Sequence, residues 1–291
     1  MHVMTGSISI IGFGEAAQAF TGDSNWSADV AGFDIKLLDP EDGRAVLASL
    51  EQLGVRAHLT NADATRRSST IISLVTADQV LAAAAETAEA LPEGALYLDM
   101  NSVAPDRKRE CAKVIGSVGG RYVDVAIMAP VHPARLGVPL LLSGPYATEA
   151  EELLRVIGFK NVRVVGSQIG DASTVKMVRS VMIKGIEALT AECFIAADAA
   201  GVTQEVLDSL GSDWPRRVNY NFDRMLVHGK RRAAEMEEVC ATLEGLGVEP
   251  LLTRGTVARQ FALGSTLTGP VPETLDAKLA LARKDQKVPS L

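Results

Sequence analysis

Cysteine is scarce in this chain, and the few copies do not group. The three cysteines, Cys111, Cys193 and Cys240, lie far apart and form no CxxC or Cys/His spacing. The sequence therefore predicts neither a metal site nor a disulfide framework, and we expect a reducing compartment.

Long apolar runs and an excess of positive charge are also missing. No apolar run approaches the roughly 18 to 20 residues that span a bilayer. The first residues, MHVMTGSISIIGFGEA, indicate a strand rather than a signal peptide, because no basic region precedes their apolar run. The net charge of −7 argues against a nucleic-acid partner, and we expect the isolated run RKR at 107–109 on the exposed face of a helix. These absences favour a cytoplasmic protein without membrane or nucleic-acid partners.

The patterns that are present indicate two globular domains. The chain has 291 residues, and 47% of them are hydrophobic. This length exceeds what a single hydrophobic core usually organises. Up to about residue 166, short β-branched runs alternate with helical stretches, which predicts an α/β Rossmann-type doubly wound sheet domain over residues 1–166. The predicted strands are SISIIG, DIKLLD, TIISLV, ALYLDM, RYVDVAIM, PLLLSG and NVRVVG, and the predicted helices are EAAQAF, EDGRAVLASLEQL, ADQVLAAAAETAEAL, APDRKRECAKVIG and TEAEELLRVIG.

After residue 170 the strand patterns stop. A helical pattern runs from Asp171, a suitable N-cap, to Ala200, and Gly201 is well placed to end it. A helix of about 30 residues spans ~45 Å, so we expect it to join the sheet domain to an all-α C-terminal domain over residues 167–291. Further helices are predicted at about 203–212, 216–228, 231–246, 250–263 and 272–285.

The segment IGFGEAAQAF carries the strongest local signal for a ligand. It follows the first predicted strand and opens a helix, so its glycines allow a tight turn in which the backbone approaches a pyrophosphate. Backbone N–H groups at the helix start would hold the phosphates. The alternative is a merely structural turn. We predict that the dinucleotide-binding residues here are Gly12, Phe13, Gly14, Glu15 and Ala16.

Asp39 ends the second predicted strand, in KLLDP. An acidic residue at this place bonds the ribose hydroxyls of NAD and repels the additional phosphate of NADP. It follows Gly12 by 27 positions (39 − 12), which exceeds the usual ~20, and the polar insert TGDSNWSAD absorbs the excess. Arg44 keeps NADP possible, and Asp39 could instead open a turn into the next helix. We predict NAD as the cofactor, with NADP possible.

Further polar residues follow predicted strands at the edge where open α/β sheets bind ligands. Asn101 and Ser102 could contact ligand there, or they could cap the helix that starts near Ala104, which is the more common role of an Asn-Ser pair. We place Val75, Thr76 and Asn101 with the cofactor, and Ser102, Met128, Ala129 and Pro130 with the substrate.

A polar stripe follows the i, i+3, i+4 spacing along the long predicted helix. Its residues are Lys176, Arg179, Ser180, Lys184 and Glu187. Such a stripe is commonly a solvated face. Since its first turn lies where the helix leaves the sheet domain, we predict that Lys176 acts as general acid and base and that Arg179 clamps an anionic group. We predict that the later turns, with Lys184 and Glu187, are solvated.

These segments, in this order, resemble the β-hydroxyacid dehydrogenase family, the relatives of 3-hydroxyisobutyrate and 6-phosphogluconate dehydrogenases. GFGEAA resembles the dinucleotide motif, DMNS the D-x-S/N-S segment, VDVAIMAPVHPARLGVPLLLSG the substrate loop and GDASTVKMVRS the catalytic-lysine helix. The resemblance places the catalytic lysine at Lys176. It implies hydride transfer between NAD or NADP and the alcohol carbon of a small anionic hydroxy acid, and a homodimer formed through the helical domain.

The chain also departs from the family pattern. Met128-Ala129-Pro130 stands where the family has Ser-Gly-Gly, and Arg179-Ser180 stands where an asparagine is expected. Ala234-Glu235-Met236 replaces Lys-Asp-Leu, which is similar to a 6-phosphogluconate dehydrogenase-like subgroup with a divergent helical domain, and we place Ser180 and Glu235 near the substrate. An imine reductase of the same fold and a non-catalytic dinucleotide-binding protein remain as alternatives.

Overall fold

The computed structural model describes residues 6–24, 26 and 29–284. It divides into two compact units, Met1–Lys176 and Met177–Leu291. The domain boundary predicted after residue 166 lies shortly before the long helix. The first turn of that helix belongs to the first unit, because Ala172 is buried against Ala126 and Leu141. Residue 285 of the last predicted helix lies outside the described residues.

The first unit is built on an eight-stranded sheet with the order β3-β2-β1-β4-β5-β6-β7-β8. Every neighbouring pair is parallel except β6 and β7. Only a short 3₁₀-helix, Arg135–Gly137, connects these two strands, and without a crossover helix the chain returns antiparallel. The strands are β1 (Ile8–Ile11), β2 (Val30–Phe33), β3 (Arg56–Ala57), β4 (Thr70–Ser73), β5 (Leu96–Asp99), β6 (Arg121–Ile127), β7 (Leu140–Ser143) and β8 (Val162–Gly166).

Helices alternate with these strands and bury the sheet. The central strands are buried along their whole length, as continuous apolar runs predict for parallel strands. The helices are α1 (Glu15–Gly22), α2 (Gly43–Gln52), α3 (Asn61–Thr65), α4 (Val80–Ala88), α5 (Pro105–Ser117) and α6 (Ala147–Val156). The predicted Rossmann-type sheet followed by a helical region is confirmed. The sequence patterns did not predict the short elements β3 and α3.

The assignment of DIKLLD as the second strand was wrong. That strand is β2, directly upstream, and residues Ile35–Leu38 form a 3₁₀-helix instead. The Asp34 side chain accepts a hydrogen bond from the Lys36 N–H at 2.9 Å, which turns the chain as soon as the strand ends. Ile35 and Leu38 are exposed, so the apolar pattern here reflects no buried strand.

The second unit is helical throughout its described part. The long helix α7 runs over Asp171–Ala200, with the bounds that the sequence predicted. It is followed by α8 (Thr203–Leu210), α9 (Trp214–Gly245), α10 (Leu251–Thr266) and α11 (Leu275–Lys284). Phe194, Phe222, Met225 and Leu263 form the centre of its core. Among the described residues, no helix combines the length and apolarity that crossing a membrane requires.

The two helices predicted at 216–228 and 231–246 are one helix, α9. Gly229, which falls in the gap between the two predicted helices, lies in the interior of α9 and is buried. A Cβ at this glycine would come within 2.2 Å of the Gln260 carbonyl oxygen on α10. The residue is therefore glycine because α9 and α10 pack backbone to backbone there.

Candidate functional site

The turn after β1 has the geometry of a phosphate-binding loop. Gly12 has φ of 86°, and a Cβ added to it would lie 2.6 Å from the Leu74 carbonyl oxygen. Gly14 occupies the N-cap of α1 without a capping side-chain hydrogen bond, and a Cβ there would meet nothing within 4 Å. The open space in front of the first backbone N–H groups of α1, which include those of Glu15 and Ala16, fits a dinucleotide pyrophosphate.

Phe13 contributes to this loop through its backbone. Its side chain is buried in a core cluster with Ile10, Ala17 and Leu50. Its N–H donates a hydrogen bond to Asp34 Oδ2 at 2.6 Å. Phe13 therefore ties the loop to the acidic residue that follows β2.

Asp34, rather than Asp39, is the acidic residue at the end of β2. It follows Gly12 by 22 positions (34 − 12), close to the usual ~20. Asp39 is exposed beyond the 3₁₀-helix and accepts hydrogen bonds from the backbone N–H groups of Asp42 and Glu41, which lower the pKa of Asp39. Asp39 thus forms the turn into α2, which the sequence left as an alternative. The spacing from Gly12 was the signal that identifies Asp34.

Asn101 lies in the edge where β4 and β5 end. Its side chain is buried, and its Nδ2 donates hydrogen bonds to Ser73 Oγ at 2.9 Å and to Asp99 Oδ1 at 2.7 Å. Because an ionised carboxylate only accepts, these contacts fix the orientation of the amide. Helix α5 starts at Pro105 with Ala104 as its N-cap, so the capping role favoured for Asn101 was wrong. Within the described part of the chain, the buried Asn101 Oδ1 accepts no hydrogen bond.

Ser102 and Lys176 meet at this edge. The Lys176 Nζ donates a hydrogen bond to Ser102 Oγ at 2.5 Å, although the two residues lie far apart in sequence. Lys176 is half-buried on the second turn of α7. Both belong to the first unit, and an amino group and a hydroxyl so arranged can pass a proton to a substrate oxygen.

The remaining predicted residues of the first unit follow strand ends. Val75 and Thr76 follow the end of β4 by two and three positions. Between them and the strand, the Leu74 N–H donates to the Ile11 carbonyl at 2.7 Å. Met128, Ala129 and Pro130 come directly after β6, which runs parallel to β5 and therefore ends at the same edge. Val75 and Met128 are half-buried, and the exposed residues are Thr76, Ala129 and Pro130.

In the second unit, the prediction of a solvated stripe was wrong for its later turns. Lys184 is 7% exposed and Glu187 is 4% exposed. Lys184 Nζ lies 2.8 Å from Glu235 Oε2. Burial lowers the pKa of Lys184, and the neighbouring Glu235 acts against that shift. Arg179 is exposed and Ser180 half-buried on the same helix.

Glu187 lies inside a buried network between helices. The Arg232 guanidinium bonds both of its carboxylate oxygens, and Gln260 Nε2 donates to Oε2 at 2.8 Å. Helical periodicity marked these positions as one polar face but carried no information on partners from α9 and α10.

The expectation of an exposed basic run on α5 was also wrong at its centre. Lys108 is fully buried, with its Nζ 2.8 Å from Asp99 Oδ1 and 3.4 Å from Asp124 Oδ1. Burial by itself would lower the pKa of Lys108, but the two carboxylates outweigh it and raise that pKa. Over the described residues, no group of His, Cys, Asp and Glu is suited to hold a metal.

Comparison with known proteins adds family relationships to this geometry. The model of the NAD binding domain of 6-phosphogluconate dehydrogenase matches residues 8–166, more than half of the chain. A domain of unknown function (DUF1932) matches residues 197–263. Both the predicted cofactor class and the resemblance to hydroxyacid dehydrogenases are thereby confirmed.

Three similar proteins illustrate the range of relatives. A conserved hypothetical protein from Sinorhizobium meliloti 1021 is 35% identical, with 97% of each chain covered and a TM-score of 0.76. A conserved protein of unknown function with structural similarity to 3-hydroxyacid dehydrogenases is 27% identical, with 96% of this chain and 98% of that chain covered and a TM-score of 0.69. The 2-hydroxy-3-oxopropionate reductase of Escherichia coli (strain K12) is 26% identical over 144 residues, which are 48% of this chain and 47% of the reductase.

The matched region begins with β1, ends with β8 and contains the glycine turn, Asp34, Asn101 and Ser102. The chain belongs to the family of proteins that carry the NAD binding domain of 6-phosphogluconate dehydrogenase.

Proposed function

We propose that this protein is an NAD(P)-dependent oxidoreductase that transfers a hydride between the nicotinamide cofactor and the alcohol carbon of a small anionic hydroxy acid. The observation that carries the proposal is the 2.5 Å hydrogen bond from Lys176 Nζ to Ser102 Oγ. Ser102 directly follows Asn101, whose buried amide oxygen accepts no hydrogen bond from the described residues.

In this proposal Lys176 is the general acid and base. The bound nicotinamide dinucleotide supplies the hydride acceptor or donor. During oxidation Lys176 Nζ takes the proton of the substrate hydroxyl as the C–H hydride leaves, and a carbonyl remains. During reduction it returns that proton to the carbonyl oxygen. Ser102 Oγ holds the amine in place and can bond the same substrate oxygen. Such proton transfer typically contributes about 10²- to 10⁴-fold to the rate.

Arg179 is the proposed clamp for the acid group of the substrate. It follows Lys176 by three positions on α7, which is close to one helical turn. A guanidinium binds a carboxylate through two parallel hydrogen bonds. The identity of the Escherichia coli relative as a 2-hydroxy-3-oxopropionate reductase supports a small hydroxy acid of this kind. Ser180, Glu235 and the segment at 128–130 stay predictions as substrate contacts.

We further infer a homodimer formed through the helical unit. Large apolar side chains on α7 remain exposed at Met182, Ile186 and Leu189. Their spacing of four and three positions places them on one face of the helix. A contiguous apolar face of this kind is typical of a protein interface.

The test combines cofactor binding with turnover. We expect saturable NADH binding, measured by nicotinamide fluorescence, and oxidation of at least one short 2- or 3-hydroxy acid from a panel. Lys176→Ala should lower kcat by about 100-fold or more while the NADH dissociation constant changes little. Lys113→Ala, on the exposed face of α5, is the matched control and should retain full turnover.

Each contrary outcome has a distinct meaning. If NADH does not bind saturably at millimolar concentration, the proposed function is wrong. If Lys176→Ala loses binding and turnover equally, Lys176 is structural. If cyclic imines are reduced and no hydroxy acid is oxidised, the protein is an imine reductase of the same fold.

A further inference from the structure

The first unit encloses a charge cluster that the proposed reaction does not use. The side chains of Asp99, Lys108 and Asp124 are fully buried and come from β5, α5 and β6. Lys108 Nζ donates to the carbonyl oxygen of Asp99 at 2.7 Å and to its Oδ1 at 2.8 Å, and it lies 3.4 Å from Asp124 Oδ1. The ammonium group therefore bridges two carboxylates.

Asp99 holds the segment that carries Ser102. Its Oδ1 accepts from the backbone N–H of Asn101 at 3.0 Å and from Asn101 Nδ2 at 2.7 Å. Its Oδ2 accepts from the Tyr122 hydroxyl at 2.5 Å. Burial, followed by the charge of Asp99, raises the pKa of Tyr122 well above its ordinary value, so this phenol stays a neutral donor. The backbone immediately before Ser102 is thus fixed.

Asp124 holds the helix that carries Lys176. Its Oδ2 accepts from the Ser173 N–H at 2.9 Å and from Ser173 Oγ at 3.0 Å, in the first turn of α7. Ser143 Oγ donates to the same oxygen at 3.1 Å and accepts from the Ala172 N–H at 2.9 Å. Asp124 therefore fixes α7 three positions before Lys176.

The cluster is electrostatically dependent on Lys108. Two carboxylates and one ammonium carry a net charge of −1, and the N-terminus of α7 adds partial positive charge beside Asp124. Without the ammonium, two buried carboxylates would lie close together with no cation between them, an arrangement that folded proteins strongly disfavour. Lys108 thus keeps both carboxylates in the positions from which they hold the two partners of the Ser102–Lys176 hydrogen bond.

We propose that Lys108 is a positioning residue, which sets the distance between Ser102 and Lys176 by bridging Asp99 and Asp124. The inference rests on the proposed function only where it refers to catalysis. The placement of the Lys176 amine can be measured without any cofactor. The hydrogen bonds and ion pairs described for Lys108 go to Asp99 and Asp124 and not to the glycine turn at residues 12–16, so its removal should alter the amine more than dinucleotide binding.

The experiment separates positioning from charge balance. Lys108→Met alone leaves the two buried carboxylates without a cation. Its effect therefore includes any loss of folding as well as any loss of function. Lys108→Met/Asp124→Asn retains the net charge of −1, and Asp124→Asn alone measures the effect of the second change. Lys113→Met, the same substitution at an exposed position of α5, is the matched control. Circular dichroism and thermal unfolding verify that each variant is folded.

The first readout is the rate at which acetic anhydride labels Lys176 from pH 7 to 10, resolved by peptide mass spectrometry. A shift of half a pKa unit changes the free-amine fraction of a lysine about threefold. Loss of the Lys108 bridge should therefore change the labelling rate of Lys176 about threefold or more. Lys108→Met and the double variant should each differ from the wild type by at least this amount, and Lys113→Met should match the wild type. Equal labelling of Lys176 in the wild type, in Lys108→Met and in the double variant would overturn the proposal.

The second readout is catalytic. A misplacement of about 1 Å can cost up to 100-fold in rate, so we expect kcat of Lys108→Met and of the double variant to fall at least tenfold below that of the wild type, with a much smaller change in the NADH dissociation constant. An unchanged kcat would overturn the catalytic part of the proposal. If the wild type oxidises no hydroxy acid, the proposed function fails, and the labelling comparison still decides whether Lys108 positions Lys176.

Discussion

Asp34 and Asp39 both follow β2, and Asp34 is the one that hydrogen-bonds to the glycine turn. Its carboxylate accepts from the Phe13 N–H and from the Lys36 N–H, which places it where ribose hydroxyls are bound in folds of this class. A carboxylate at that position also repels the 2′-phosphate of NADP. The geometry of Asp34 therefore favours NAD over NADP, whereas Asp39 is committed to an exposed turn.

This assignment predicts that Asp34→Asn changes the coenzyme preference and that the same substitution at Asp39 does not. Asp34→Asn keeps an oxygen for the Phe13 N–H but removes the negative charge, and we expect the ratio of NADPH to NADH affinity to rise about tenfold, equivalent to about 1.4 kcal/mol. Asp39→Asn should leave both affinities unchanged. Fluorescence titration with each coenzyme measures the ratio. If Asp39→Asn shifts the preference and Asp34→Asn does not, the assignment of Asp34 is wrong.

Single residues also show which properties sequence patterns can predict and which they cannot. The position of Lys176 on α7 followed from motif order and helical spacing, because both are local properties. The burial of Lys108, Lys184 and Glu187 did not, since each is paired by carboxylates or a guanidinium that lies far away in the sequence. A charge on a helix face has the same pattern whether its partner is water or a distant side chain.

At the scale of elements, Arg232 on α9 holds Glu187 of α7 within the second unit. Both side chains are at most 7% exposed. Removing one member of such a pair leaves a buried charge without its counterion. The neighbouring residue Arg231 makes a similar contact with Glu235 at 3.2 Å, but its side chain is 60% exposed.

The contrast predicts unequal losses of stability. Arg232→Met should lower the free energy of unfolding by about 3 to 5 kcal/mol, whereas Arg231→Met should cost at most about 1 kcal/mol. Urea denaturation followed by circular dichroism measures both. Glu187→Met/Arg232→Met should recover most of the loss, because no charge is then left buried. Equal effects of the two arginine substitutions would mean that the Glu187 network does not stabilise the helical unit.

Element boundaries could be predicted where a local cause sets them. Helix α7 begins at Asp171 and ends at Ala200, directly before Gly201 with φ of 71°, because the residues that start and stop a helix act within a few positions of its ends. Gly229 resembles such a terminator, yet α9 continues through it, because α10 packs too close for any side chain. DIKLLD was mistaken for a strand because Asp34 turns the chain through its own side-chain hydrogen bond. Sequence periodicity does not predict close helix packing or turns that a side-chain hydrogen bond forms.

At the scale of the whole molecule, the proposed cofactor contacts and the proposed dimer face lie in different units. The glycine turn, Asp34, Asn101, Ser102 and Lys176 all belong to the first unit. The exposed apolar face of α7, at Met182, Ile186 and Leu189, belongs to the second. Dinucleotide binding should therefore be independent of dimer formation.

The inferred homodimer is tested by one change on that face. Leu189 is 66% exposed, and burying a leucine side chain at an interface typically contributes about 1.5 to 3 kcal/mol. A glutamate there would instead place a charge in an apolar contact. We expect Leu189→Glu to elute and scatter light as a monomer, with NADH affinity retained. Leu252→Glu, at an 87% exposed leucine at the start of α10, is the matched control and should remain a dimer.

Turnover of the Leu189→Glu monomer then distinguishes two forms of the homodimer. If each site is complete within one chain, the monomer should retain the wild-type kcat. If sites are completed between chains, as the resemblance to β-hydroxyacid dehydrogenases implies, kcat should fall while NADH still binds, because the proposed dinucleotide contacts lie in the first unit. Dissociation by Leu252→Glu but not by Leu189→Glu would place the interface on α10 and exclude the α7 face.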